Sequence, residues 1–171
     1  LSVNWSSCNV GAKTRLDYGG HYAWGETETK KEYTLAPLSD KLNQNPNCIS
    51  TTLFDAAAQE FGKDWRMPTA HEMMELVEKC KWEWLCNDSI VGYKVTGKNG
   101  NYILLPAAGA KEKTASPGYR MAGCYASAEK IVNNPKDIYY LYFGVTERAL
   151  MEYGQERGYS ISPVSNAYEG K

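Results

Sequence analysis

The chain has 171 residues, 43% of them hydrophobic and 23% charged, which suits one soluble globular domain spanning 1–171. A net charge of -1 leaves no cationic excess to hold a phosphate backbone, so nucleic acid is not expected as a partner. No apolar run approaches the ~20 residues that cross a bilayer, so this segment is not expected to insert into a membrane.

The chain starts at Leu1, which reads as a trimmed or processed chain. Residues 1–10 read as a strand, with Leu1, Val3 and Trp5 on one face. A glycine-rich loop with Tyr18, Tyr22 and Trp24 follows, and residues 34–50 are polar and turn-rich. Helical spacing then appears. Leu53, Ala56, Ala57 and Phe61 form a stripe that Thr51 or Thr52 can cap and Gly62 can stop. A second helix starts at Thr69. Glu72 stands three residues later, which is the capping-box spacing, and Met73, Leu76 and Cys80 form its buried stripe. Glu75 and Glu78 are expected to face outward.

The stretch H-E-M-M-E from His71 to Glu75 superficially resembles a zinc-protease helix, which requires H-E-x-x-H. Two ligands on one face do not make a metal site. The capping role accounts for Glu72 and leaves His71 as an exposed first-turn residue. No metal and no cofactor are expected.

The remainder reads as β-rich. Tyr93 and Val95 alternate with polar residues, Asn99-Gly100 supplies a hairpin turn, and Tyr102 to Leu105 return. Residues 111–120 read as a polar loop and "NNPKD" as a turn. "IYYLYFGV" is the strongest strand, with Tyr139, Leu141 and Phe143 on one face and Tyr140 and Tyr142 on the other. "RALMEYG" is a candidate to pair with it, "GYSISPV" closes the fold, and "SNAYEGK" is a tail. This order is the α+β pattern, with helices segregated from an antiparallel sheet.

Cys8, Cys48, Cys80, Cys86 and Cys124 contain no CxxC pair, so a zinc knuckle is not expected. Cys80 and Cys86 are near enough in sequence to bridge if the helix ends between them. Export would permit one or two disulfides and a cytosolic setting none, with the pairing open.

The blocks "LSVNWSSCNVGA", "YGGHYAWGET", "DAAAQEFGKDWRMPTAHEMMELVEKCKWEW", "GYKVTGKNGNYILLPAAG" and "YYLYF…ERGYSISPV" stand in this order. Together they resemble the C-type-lectin-like paralogous domains of secreted and lipid-anchored proteins of gut-dwelling bacteria. Those domains are distant relatives of the formylglycine-generating enzymes and of the variable proteins of diversity-generating retroelements. The resemblance implies a C-type-lectin-like fold, with two helices flanking a small twisted antiparallel sheet and the terminal strands brought together. It also implies an extracellular or outer-surface-anchored location and binding rather than catalysis. The chain departs from the family pattern at Ala126, Ala128 and Ser162, where Trp, Ser and Arg are usual.

The expected function is therefore a non-enzymatic surface domain, adhesin-like, for a glycan or a host or bacterial surface protein. With 13 tyrosines the chain is well supplied with contact side chains. Tyr125, Glu147, Arg148, Tyr153, Gln155 and Arg157 fall in or beside expected loops, and Tyr and Arg dominate binding hot spots. The competing reading is that Tyr125 and Tyr153 merely cover the sheet. A calcium lectin is not expected, because its sugar-binding triplets are absent. Two alternatives are an enzyme of the formylglycine-generating type and a retroelement-diversified receptor-binding protein varying over 120–162. The first needs a C-terminal cysteine pair, and only Cys124 lies in that region.

Overall fold

The computed structural model describes residues 1–34 and 46–167. Most of the polar loop expected at 34–50, and the last four residues of the expected tail, lie outside these. The elements are β1 (Val3–Trp5), α1 (Ala56–Phe61), α2 (Ala70–Lys79), β2 (Lys81–Cys86), β3 (Val91–Thr96), β4 (Tyr102–Pro106), β5 (Gly123–Ile131), β6 (Asn134–Phe143), β7 (Arg148–Gly154) and β8 (Val164–Asn166).

Strands take 39% and helices 10%, so the chain is mostly β. The expected α+β layout of two helices flanking one sheet is overturned. The described residues form three small antiparallel sheets, ordered β1-β8, β2-β3-β4 and β5-β6-β7. The two helices are short, of six and ten residues. The first and last strands do meet, with Val3 opposite Asn166 and Trp5 opposite Val164.

The sheet β5-β6-β7 lies between two cores. Alternation along β5 and β6 sends Cys124, Ala126, Ala128, Ile138 and Tyr140 to one side, among Tyr22, Trp24, Ile49 and Tyr159. It sends Tyr125, Leu141 and Phe143 to the other, among Met73, Leu76, Tyr93 and Leu105. Apolar contact on both faces explains why nearly all of β5 is buried. Ala126 and Ala128 sit at 1% and 0% exposure in the first core, where small side chains let the loops pack close.

Several local expectations need correcting. Asp55, fully buried, caps α1 in place of Thr51 or Thr52. Its carboxylate accepts from the backbone amides of Ala58 (3.0 Å), Thr51 (2.8 Å) and Met67 (3.0 Å). Leu53 is 80% exposed and contributes nothing to the stripe. Glu75 is buried rather than outward, because Ser2 donates to it and Lys79 pairs with it at 3.3 Å. The strand at residues 1–10 is confined to Val3–Trp5. β2 falls where no strand was expected, and its K-W-E-W alternation puts Trp82 and Trp84 about 5 Å from Tyr93, edge to face. β2 also separates Cys80 from Cys86 by ~20 Å of extended chain, too far for a disulfide. All five cysteines are free thiols.

Candidate functional site

The hairpin of β6 and β7 positions most of the sequence-predicted residues. Its register sets Ala149 opposite Tyr142, Met151 opposite Tyr140 and Tyr153 opposite Ile138. Alternation therefore places Ala149, Met151 and Tyr153 on one face. Met151 and Tyr153 are each 44% exposed there.

After β7 the chain turns and brings Arg157 back over this face. Its guanidinium lies 4.4 Å from the centre of the Tyr153 ring, 5.7 Å from Tyr140 and 5.8 Å from Tyr159. A guanidinium among aromatic faces is held by cation–π attraction. Glu112 completes the arrangement, 3.1 Å from Arg157 Nε. Arg157 is thus fixed at low exposure while Tyr153 stays open to solvent. The result is a preorganised aromatic–cationic platform with little rotamer entropy left to lose on binding.

The six predicted ligand residues separate into three groups. Tyr153 and Arg157 come together as described. Glu147 sits at the far end of the hairpin, ~20 Å along β7. It accepts from Thr146 (2.8 Å) and from Tyr142 (3.1 Å), and these bonds, Thr146 first, lower its carboxyl pKa. Arg148 turns to the opposite face of the sheet and lies 5.1 Å over the Trp82 ring. Tyr125 and Gln155 are interior, each 1% exposed, so neither reaches a ligand at the surface. Tyr125 donates to the Pro106 carbonyl at 2.8 Å and accepts from Asn9 at 3.0 Å. Gln155 donates to the Pro135 carbonyl and ties the β7 turn to the start of β6.

Met151, Tyr140 and Glu112 complete the platform and were missed in sequence. The period-2 pattern of "RALMEYG" is a signal that identifies Met151. No local signal identifies Glu112, which arrives from a distant loop. Cys124, beneath this cluster, is 4% exposed, and burial pushes its thiol up to about 11. Such a thiol is almost wholly protonated at neutral pH and a poor nucleophile.

The two histidines do not converge. His71 is 84% exposed on α2, 3.7 Å from Glu75, while His21 is half-buried against the Ala108 carbonyl at 3.1 Å. Among the described residues no group of three His, Cys, Asp or Glu could hold a metal ion. A groove of about 550 Å³ runs between β1, the end of α2 and the β3–β4 hairpin, lined in part by Trp5, Leu76, Lys79, Asn99 and Tyr102. No helix of the described residues is long and apolar enough to cross a membrane.

No family model matches the chain, and neither a curated protein nor a solved structure shows significant similarity to it.

Proposed function

We propose that this chain is a non-enzymatic binding domain, displayed outside the cell or anchored at its surface, that holds a glycan or protein ligand on the Tyr153–Arg157 platform. The observation that carries the reading is the pairing of two large exposed side chains, Met151 and Tyr153, with a guanidinium locked among three rings. Flat aromatic edges and a fixed cation suit the stacking and hydrogen bonding of a sugar or of a polar peptide surface. Surface display draws its support from the sequence blocks that resemble secreted and lipid-anchored domains. Two observations favour binding over the alternatives. The buried, high-pKa Cys124 thiol suits no thiolate mechanism. Residues 120–162 include much of both cores, where diversification would cost stability.

The test is a glycan-array and surface-protein screen of the purified domain, with and without EDTA. Tyr153→Ala and Met151→Ala should each weaken a genuine hit about tenfold or more, with Tm unchanged in Met151→Ala and lowered only by the lost Arg157 contact in Tyr153→Ala. EDTA should leave the hit intact. A hit indifferent to both substitutions, or abolished by EDTA, would sink the platform.

A further inference from the structure

Lys111 and Lys113 flank Glu112, and Lys113, with a left-handed backbone of φ 52°, opens the tight turn that Glu112 and Ala115 close. Lys111 pairs with Gly158 through two 2.9 Å backbone bonds. Lys113 pairs with Tyr33 through bonds of 3.0 and 2.7 Å. Glu112 faces Arg157, while both lysines line a hollow. There they meet Lys30 and Lys31, which the Tyr33 pairing brings in from a loop some 80 positions earlier. The four lysines, with His21, Thr29, Thr114 and Tyr33, line a hollow of about 390 Å³.

The charge of this hollow is uneven. Lys30 is answered by Glu26 at 2.9 Å, and Lys111 donates to the neutral hydroxyl of Ser116. Among the described residues, neither Lys31 nor Lys113 has a carboxylate within ion-pair distance. The whole chain carries -1, so this concentration does not follow from an overall basic composition. Gathering ammonium groups around one concavity costs Coulomb repulsion, and a bound anion reverses its sign. Two threonine hydroxyls supply neutral partners beside the cations, while the Tyr33 hydroxyl donates to the His21 carbonyl.

We propose that this hollow binds an oxyanion, the phosphate or sulfate group of an esterified ligand. A tetrahedral oxyanion fills only part of the volume and leaves room for the group that carries it. The site is separate from the Tyr153–Arg157 platform, and the proposal stands whether or not that platform binds.

Inorganic phosphate and inorganic sulfate, each titrated at constant ionic strength set with sodium chloride, test it directly. Amide chemical shifts would be followed for Thr29 to Lys31 and Lys111 to Thr114. We expect saturable shifts confined to those segments. The double variant K31E/K113E should weaken them about tenfold or more, while the exposed charge control K63E should leave them unchanged. Tighter phosphate binding would assign a phosphate ester and tighter sulfate binding a sulfate ester, and either supports the site. Shifts that spread over the surface, follow ionic strength alone, or persist in K31E/K113E would overturn it. In the absence of anion, K31A/K113A should melt no lower than the parent chain. A lower Tm would make these lysines structural and would also overturn the proposal.

Discussion

Tyr125 shows how one side chain can be committed to packing. Its ring stacks on Phe143 at 5.8 Å, and its hydroxyl joins Asn9, 116 positions away, to the carbonyl of Pro106. Burial raises its pKa far above the ordinary tyrosine value, so it stays a neutral donor at any pH the fold survives. Removing the hydroxyl takes one interior partner from each of these groups, while the Pro106 carbonyl keeps the Ala108 amide and the Asn9 amide keeps the Tyr18 carbonyl. Tyr125→Phe should therefore cost about 1 kcal/mol in urea denaturation while leaving ligand binding intact. Loss of binding at unchanged stability would instead return Tyr125 to the ligand surface. Glycine matters equally nearby, since a Cβ at Gly123 would lie 2.1 Å from the Phe143 ring. Only hydrogen lets β5 pass so close to that aromatic.

At the scale of an element, α2 is set by its first turn. Thr69 accepts from the Glu72 amide at 3.2 Å, and Glu72 accepts from the Thr69 amide at 2.8 Å. Arg66 adds a two-pronged bond to the same carboxylate, and its second nitrogen reaches Asn166 at the end of β8. The helix is thereby tied to the strand pair formed by both chain ends. Burial alone would raise the Glu72 carboxyl, but the bonds from Arg66 and Thr69 outweigh it and hold the pKa below 4.5. A lowered folded-state value means that this contribution is fully present above the unfolded value. It is lost as pH falls through the folded one. Glu72→Gln should cost about 3 kcal/mol at neutral pH, as removal of one partner from a largely buried pair does. The gap between variant and parent should narrow once pH falls below the ordinary glutamate value and close as it falls through the lowered folded one. Thermal melts across pH 3–7 would show it, and a gap independent of pH would rule out the charge as the cause.

For the whole molecule, the consequential feature is a sheet shared by two cores. β5 and β6 contribute alternate residues to both, so neither core can come apart without stripping one face of the same strands. Unfolding should therefore be a single cooperative transition over the described body. Trp24 belongs to the first core, while Trp5, Trp82 and Trp84 pack against the second. Tryptophan fluorescence therefore weights the second core, whereas far-UV circular dichroism reports on every element. Coincident denaturation curves from the two probes are expected. A fluorescence transition displaced from the dichroism curve would show that the cores unfold separately.

Features that depend on near neighbours are legible in the residue order alone. The capping box at Thr69 and Glu72, the Asn99-Gly100 hairpin, and the two-faced strand from Ile138 to Phe143 all rest on spacings of a few residues. Backbone geometry enforces such spacings wherever the segment lies. The exposed Tyr153 was within reach of the same reasoning. Which side chains face outward once both faces of a strand are covered depends on long-range packing. That is why Tyr125 and Gln155 went inside and Ser160 and Ser162 followed them. The same holds for two helices serving three sheets rather than flanking one, because sheet partnership joins strands as remote as β1 and β8. The convergence of Lys30 and Lys31 with Lys111 and Lys113 has the same origin. Each pair is an ordinary polar loop in its own neighbourhood, and the charge concentration exists only where backbone pairing at Tyr33 and Gly158 closes the distance.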